Sequence, residues 1–430
     1  MVDPGTNCDW SDLRFTMLRE VGHDPNISLQ VEFLPGEASP LLASIPRSLQ
    51  PEQNANECAP PLSQLDKMDR IGRLQRGMSI GLSGVEGGGT MGGFVTLARG
   101  RVIHQGLLTS YDVVRPPTPA STVIEADRQG ISIDRPNCPK IEIIYPATKD
   151  ARATKDEAEL VLEETKTRLD GLIQRKNNYK LIGKEVKTAE LKHIKDVERA
   201  YDHRQQTLKA VQNMPTKIGE VAFASGMGVS GATLLDWAFV EITEPEAQKF
   251  FRCDQVPQVP VRMRPYIDTS KQVHFSFQEE PLNGIGVMEK GEYYVMVGPT
   301  SGTQTGICNG TQASCHWRKN QIRYGEFGKA VDTARVTQEY VIINEVLKGN
   351  KTFQDPFCYP GDSGAFMINT KGEVCGLLYG YLDVYVSLSD YIYSGLATCM
   401  GSIKLSIQAL TTPRDAQGRP TGILAELGLF

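Results

Sequence analysis

The ten residues Phe357 to Phe366 read FCYPGDSGAF, a tight turn that leads into an apolar strand. Gly361 and Gly364 flank the turn, and glycine adopts the backbone conformations that such a turn requires. Ser363 lies between them, so its hydroxyl is a candidate nucleophile, and the N–H groups of Gly361 and Ser363 are candidate donors to a developing oxyanion. Glycine, aspartate and serine are also ordinary turn formers, so these residues alone do not separate a catalytic loop from a plain turn.

The chain as a whole has the composition of an ordinary globular protein. Its 430 residues are 40% hydrophobic and 23% charged, which allows a sizeable core and more than one domain. The formal net charge of −5 and the lack of any block of like charges argue against nucleic acid and against a membrane as partners. No basic flank precedes an apolar run, and no apolar window is long enough for a membrane span, so we expect a cytoplasmic protein.

The cysteines and the glycine-rich stretch do not indicate a cofactor. Nine cysteines are scattered singly, which fits a reducing compartment better than a disulfide framework. Cys308 and Cys315-His316 are conceivable metal ligands, but no second C-x-x-C or histidine pair completes a zinc site. The stretch Gly84 to Gly93, GVEGGGTMGG, lacks Gly-Lys-Ser/Thr and does not run into a helix. We therefore expect neither a metal nor another cofactor.

Composition divides the chain into five regions. Residues 1–75 form a partly ordered N-terminal extension, and residues 411–430 form a C-terminal tail. Residues 76–150 and 215–410 contain short apolar or alternating strands separated by glycine and proline, a pattern typical of a sandwich or barrel. Residues 151–214 are different and predict helices.

The helical region has almost no glycine or proline and is dense in charged residues and alanine. Its apolar or small positions follow a three-or-four spacing, and NNYKLIG at residues 177–183 offers a turn, so an antiparallel helical hairpin is the simplest arrangement. Two roles stay open. A passive insertion would bury its apolar stripe within the hairpin, whereas an arm for self-association or partner binding would leave that stripe uncovered.

Five further segments, in the correct order, resemble the trypsin/chymotrypsin-like serine peptidases, particularly bacterial and fungal members. Gly361–Gly364 is similar to the nucleophile turn of that family. Leu234–Glu241 resembles the segment with the orienting acid, here Asp236. Gly372–Leu378 resembles the strand that follows the nucleophile and lines the substrate cleft, and Val297–Gly306 resembles a stretch of the second barrel. Gly89–Val95 and Gly106–Tyr111 resemble the strands that lead up to the catalytic histidine.

This resemblance, over roughly residues 76–140 and 217–400, implies a mainly β protein: a trypsin-like double β-barrel with an inserted α-helical hairpin and an N-terminal extension. It implies Ser363 as nucleophile, Asp236 as orienting acid, and Gly361 and Ser363 as the oxyanion hole. It also places Phe357, Leu378 and Tyr379 at the substrate pocket, which would then prefer an uncharged or apolar side chain. The equal alternative is that these three residues simply pack the second barrel.

The chain departs from the family pattern at the general base. After Leu-Leu-Thr-Ser-Tyr the family has histidine followed by Val-Val, whereas this chain has Asp112 before Val113 and Val114. An aspartate is shorter by a ring and would need a water to bridge Ser363 and Asp236. Its carboxylate also brings a second negative charge towards Asp236, where like charges oppose joint ionisation.

None of the six histidines is an evident replacement. His104 is nearest in sequence, but the intervening strand puts it roughly 26 Å from Asp112. The others would have to reach the cleft from distant segments: His23, His193, His203, His274 and His316.

Three hypotheses follow for the function. The first is a trypsin-like serine endopeptidase that hydrolyses peptide bonds with Ser363 and Asp236, its activity in question because the base position holds Asp112. The second is an inactive pseudoprotease that serves as a binding or regulatory module through its cleft and helical hairpin. The third is an otherwise active peptidase in which Asp112 is an engineered inactivating change. Each predicts a polypeptide substrate or a protein partner.

Overall fold

The computed structural model describes residues 36–40, 74–117, 121–136, 138–252, 254–260, 264, 272–316, 324, 336–344, 356–384, 394–412 and 424–429. Most of the predicted N-terminal extension and part of the predicted C-terminal tail therefore lie outside the described residues, as does His23.

Strands dominate these residues, and they are numbered in chain order. They are β1 (Gly36–Pro40), β2 (Ser79–Leu82), β3 (Gly89–Thr90), β4 (Gly93–Arg99), β5 (Val102–Thr109), β6 (Ile131–Ser132), β7 (Glu142–Tyr145), β8 (Thr216–Ala224), β9 (Gly228–Ser230), β10 (Thr233–Leu235), β11 (Ala238–Ile242), β12 (Tyr293–Gly298), β13 (Gly302–Cys308), β14 (Ala313–His316), β15 (Val336–Ile343), β16 (Phe366–Asn369), β17 (Val374–Val384), β18 (Ser394–Cys399) and β19 (Glu426–Leu429).

The helices are α1 (Tyr111–Val114), α2 (Ser121–Gln129), α3 (Thr148–Leu181), α4 (Thr188–Gln212), α5 (Pro245–Gln248) and α6 (Met400–Thr411). Across the described ranges, none of them combines the length and the apolar character that a membrane span would need.

Six strands of the C-terminal half close into a barrel. The ring runs from β17 through β16, β12, β13, β15 and β18 back to β17, and each neighbouring pair is antiparallel. Two more strands attach outside the ring, β14 to β15 and β1 to β17. This closed barrel is the second barrel that the sequence predicts.

The other large sheet is a half-barrel. Its strands follow the order β19-β4-β5-β11-β8-β7-β2-β3, with β6 on β8, and the neighbours pair antiparallel. Together the half-barrel and the closed barrel confirm the predicted mainly β, double-barrel fold.

The division between the two sheets differs from the predicted boundary at residue 215. Strands β8 and β11 lie beyond that boundary in sequence, yet both pair within the half-barrel. Strand β19, from the predicted tail, also pairs there with β4. Alternation of apolar residues reveals that a segment is a strand, but not which sheet it joins, so the predicted boundary falls inside the first sheet.

The long helices α3 and α4 occupy the region predicted to be helical, and they contact each other. Helix α3 continues through Leu181, so the turn between them lies at residues 182–187, later than predicted. Most predicted stripe positions are buried or half-buried, as a passive insertion requires. Leu160, Leu181 and Ile182 are nevertheless 60%, 83% and 63% exposed, so both roles of this region stay predictions.

A shared hydrophobic core joins the half-barrel to the barrel. Phe239 of the first sheet, Phe366 of the second and Ile403 of α6 belong to one buried cluster. Trp237 is also in it, and its indole N–H donates a hydrogen bond to the hydroxyl of Ser406 on α6, at 3.0 Å. Helix α6 therefore fixes one sheet relative to the other.

We predict that two substitutions on α6 differ sharply in effect. Ile403 is fully buried, so Ile403→Ala should lower the free energy of unfolding by about 2–5 kcal/mol through lost burial and a residual cavity. Leu405 is 68% exposed, and Leu405→Ala should change it by less than about 0.5 kcal/mol. Urea unfolding of both variants measures the difference, and equal losses would contradict the position assigned to this helix.

Candidate active site

The turn that carries Ser363 has a backbone that only glycine accommodates at its ends. Gly361 and Gly364 have φ values of 106° and 95°. A Cβ on Gly364 would lie 2.3 Å from the carbonyl oxygen of Thr90, so the turn also passes too close to the first sheet for a side chain. Within the turn, the N–H of Asp362 donates to the carbonyl of Tyr359 at 3.0 Å.

A buried carboxylate holds this turn in place. Oδ1 of Asp362 accepts the backbone N–H groups of Thr300 and Ser301 at 3.1 and 3.2 Å. Oδ2 accepts the N–H of Tyr359 at 2.8 Å and the hydroxyl of Ser301. Burial raises the pKa of the Asp362 carboxyl, and these hydrogen bonds oppose the rise. The turn between β12 and β13 therefore positions the nucleophile turn, a role for Asp362 that the sequence analysis missed.

Ser363 is fully buried, and its hydroxyl is engaged on two sides. Oγ donates to the carbonyl oxygen of Tyr379 at 3.3 Å and lies 2.6 Å from Oγ of Ser110. Either hydroxyl can be the donor in the contact between the two serines. No histidine or carboxylate of the described ranges hydrogen-bonds to Oγ of Ser363.

The predicted oxyanion donors remain available. Among the hydrogen bonds of the described residues, none uses the backbone N–H of Gly361 or Ser363. The carbonyl groups of these residues are engaged instead: Thr90 donates its N–H to Ser363 O at 2.6 Å and its hydroxyl to Gly361 O at 2.9 Å. The role of the two N–H groups as an oxyanion hole stays a prediction.

Asp236 holds the backbone of the segment that contains Asp112. Its Oδ1 accepts the N–H groups of Tyr111 and Asp112, the latter at 3.1 Å. Both aspartates are buried, with exposures of 5% for Asp236 and 8% for Asp112. The structure therefore places Asp112 beside Asp236 and two residues after Ser110, which contacts Ser363.

Asp127 is a further positioning residue for this segment. Its carboxylate accepts the phenol of Tyr111 at 2.9 Å and both Nε and Nη2 of Arg115, at 2.7 and 2.8 Å. Burial and the neighbouring Asp127 raise the pKa of the Tyr111 phenol. Helix α1 is thus tied to α2 on both sides of Asp112. The sequence analysis missed Asp127, although it shares a buried helix face with Val123.

The four histidines with described side chains are engaged elsewhere or exposed, and the side chains of His23 and His316 lie outside the described residues. Nδ1 of His104 lies 2.7 Å from Oε1 of Glu241, at the far end of β5 from Asp112. Nε2 of His193 lies 3.2 Å from Nη2 of Arg168 in the helical region, and His203 lies on the same helix. His274 is exposed.

The three predicted pocket residues are buried in the barrel. Phe357 and Leu378 pack in one hydrophobic cluster, and Tyr379 packs in another. Their exposures are at most 2%, and the ring of Phe357 lies 2.8 Å from where a Cβ on Gly306 would be. This packing favours the alternative that they stabilise the barrel, and their role in a substrate pocket stays a prediction.

Two of the conceivable metal ligands, Cys308 and Cys315, are buried thiols, and burial raises the pKa of each to about 12. The side chain of the third, His316, lies outside the described residues. Throughout the described part of the chain, no group of three histidine, cysteine, aspartate or glutamate side chains is arranged to hold a metal ion.

Comparison with known proteins gives a likeness only among solved structures. No family model matches the chain, and no curated protein matches it. A glutamic acid-specific serine protease with a histidine triad in substrate binding has 9% identity and a TM-score of 0.31, and the match covers 77% of this chain and 97% of the other. The Nocardiopsis protease NAPase has 9% identity and a TM-score of 0.28, with 77% and 95% covered. A Cellulomonas bogoriensis chymotrypsin has 13% identity and a TM-score of 0.22, with 44% and 86% covered.

We predict that the Asp362 carboxylate is required for stability. In Asp362→Asn an amide nitrogen replaces one of two acceptor oxygens, which leaves buried N–H donors unpaired and should lower the free energy of unfolding by about 3 kcal/mol. Asp196→Asn is the matched control, because Asp196 is 50% exposed and pairs at the surface with Arg199, which is 79% exposed, and such ion pairs contribute about 1 kcal/mol or less. Chemical denaturation of both variants decides the matter. Similar losses would show that the buried network does not hold the turn.

Proposed function

We propose that the protein is a serine-protease-like protein without peptidase activity, which binds a polypeptide in the cleft beside the nucleophile turn. The observation that carries this proposal is the state of the Ser363 hydroxyl. It is buried between Ser110 Oγ and the carbonyl oxygen of Tyr379, with no base among its described contacts.

A serine hydroxyl becomes a nucleophile when a neighbouring base removes its proton. The hydroxyl of Ser110 is neutral, so whichever serine donates in this contact, Ser110 is not a base that removes the proton of Ser363. Loss of the base alone can reduce turnover on the order of a million-fold. From a typical turnover near 10 per second, about one event per day would remain.

The hydrogen bonds that hold the turn and the segment around residue 112 support a binding function. The turn is held by Asp362, and Asp236 still fixes the backbone at residue 112. The N–H groups of Gly361 and Ser363 are uncommitted within the described residues, so a polypeptide carbonyl has donors to meet. Main-chain donors beside a serine without a base suit a polypeptide that is bound and not hydrolysed.

Two finer parts of the hypothesis concern location and a second contact surface. A reducing compartment such as the cytoplasm is supported by buried cysteines that form no disulfide within the described residues: Cys308, Cys315 and Cys375. The helical region, residues 148–212, is the second candidate surface for self-association or a partner, because Leu181 and Ile182 at its tip are largely exposed.

A serine endopeptidase is the second candidate function. The observation that favours it is the anchoring of residue 112 by Asp236, which keeps the position of the missing base next to the predicted orienting acid. The same observation is expected if residue 112 was once a histidine in an active peptidase. Chemical labelling of Ser363 distinguishes an active endopeptidase from an inactive protein.

We predict that a fluorophosphonate probe does not label the unmodified protein. Labelling should be at least about ten-thousandfold slower than in Asp112→His, because only the variant supplies a base beside Ser363. Asp112→Asn is the matched control, which removes the charge without supplying a base and should stay unlabelled. Intact-mass spectrometry measures the adduct, and Ser363→Ala in the Asp112→His background should abolish it.

Labelling of the unmodified protein at Ser363 would overturn the proposal and leave the endopeptidase standing. If folded Asp112→His also stays unlabelled, the protein is still inactive, but residue 112 does not stand at the position of a base.

A further inference from the structure

The two edges of β17 have different partners. Strand β18 pairs with one edge over Gly376–Leu382. The other edge is covered in succession by two strands. Strand β16 pairs with it over Val374–Leu377, and β1 pairs with it over Gly380–Val384.

The nucleophile turn fills the gap between β16 and β1. At Leu378 the backbone carbonyl accepts the N–H of Gly364 at 2.7 Å, and the N–H donates to the carbonyl of Ala365 at 2.9 Å. At the next residue, the carbonyl of Tyr379 accepts the Ser363 hydroxyl. Gly380 follows, and its partner is Pro40, the last residue of β1. Strand β1 therefore ends one position along β17 from the contact of Ser363.

An extended polypeptide that reached Ser363 along the barrel would run on this same edge. An unpaired strand edge presents N–H and C=O groups that add another strand, and main-chain hydrogen bonds then supply the affinity. In the structure those groups over Gly380–Val384 belong to an antiparallel pair with β1. The edge beside the nucleophile turn is therefore already in use.

We infer that β1 is an internal ligand: residues 36–40 occupy the edge on which a polypeptide partner is bound, and the partner must displace them. This inference rests on the proposed function and names its regulation. The partner is an extended polypeptide that adds antiparallel to β17 over Gly380–Val384.

Strand β1 is built to be displaced rather than to hold permanently. Among the described strands it pairs over five residues on one side, since it lies at the end of the strand order. A partner that pairs over more residues of this edge makes more main-chain hydrogen bonds than β1 and can therefore displace it.

The position of Pro40 singles out Ser39 for a test. Directly opposed residues in an antiparallel ladder alternate between hydrogen-bonded and non-hydrogen-bonded pairs. Proline has no N–H and cannot complete a hydrogen-bonded pair, so Pro40 stands in a non-hydrogen-bonded pair, and by alternation Ser39 and Glu37 make the bonded pairs opposite Tyr381 and Asp383. Replacing the N–H of Ser39 should therefore release β1.

The experiment compares Ser39→Pro with Ser39→Ala in the full chain. The proline variant loses the N–H, whereas the alanine variant keeps it and removes only the hydroxyl. Hydrogen exchange measured by mass spectrometry reports on the amides of residues 380–384, and a fluorescent peptide with residues 34–44, LPGEASPLLAS, reports on binding by anisotropy. A scrambled peptide controls for composition, and thermal unfolding checks that both variants keep the fold.

In Ser39→Pro we expect the amides of residues 380–384 to exchange at least about tenfold faster than in Ser39→Ala. We also expect the peptide to bind at least about tenfold more tightly than to the unmodified protein, because an occupied site lowers the apparent affinity by its free fraction. Ser39→Ala should match the unmodified protein in both measurements.

Two results would overturn the inference, and they differ in what they imply for the proposed function. Unchanged exchange in Ser39→Pro would mean that β1 does not cover this edge, while peptide binding to the unmodified protein would leave the proposed function intact. Faster exchange with no binding of the peptide by Ser39→Pro would mean that the released edge is not a polypeptide site, and the proposed function would fail with it.

Discussion

The buried carboxylate of Asp362 is the constraint on which the rest of the site depends. It accepts the N–H groups of Thr300 and Ser301 and the hydroxyl of Ser301, and so joins the nucleophile turn to the turn between β12 and β13. These bonds supply the partners that a buried carboxylate requires. With the turn fixed, Ser363 meets Ser110 from the first sheet and the carbonyl of Tyr379 from the second. The two sheets thus converge on one hydroxyl because one carboxylate fixes where it lies.

Under the proposed function, the groups that fix the backbone of the site are separate from the group that would supply a base. The scaffold consists mainly of backbone hydrogen bonds and buried aspartates, Asp236 and Asp362, which do not depend on the side chain at residue 112. Peptide-bond hydrolysis by Ser363 would also require a base, and the side chain of residue 112 would have to supply it. A protein can therefore keep the turn, the donors and the strand edge, lose catalysis, and still hold a polypeptide.

Whether a feature could be predicted from the sequence depended on whether neighbouring or distant residues determine it. Local spacing identified the glycine turn at Gly361–Gly364, most strands and the two long helices. A motif identified Asp236, whose backbone contacts the structure shows. Sheet membership of β8 and β11, the contact between Ser110 and Ser363, and the pairing of β1 join residues far apart in the chain, and no periodicity encodes such partners. Asp127 was not predicted because, in the sequence, a single acidic residue on an amphipathic helix cannot be distinguished from a solvent-exposed acidic residue.

The helical region enters and leaves the half-barrel at neighbouring points. Tyr145 at the end of β7 stands opposite Thr216 at the start of β8, so the 70 residues from 146 to 215 connect two positions that the sheet already holds together. The entropy of closing such a loop rises only slowly with its length. Evolution is therefore free to lengthen, shorten or replace this excursion without retuning the barrels, and a protein engineer has a natural point for grafting a foreign domain.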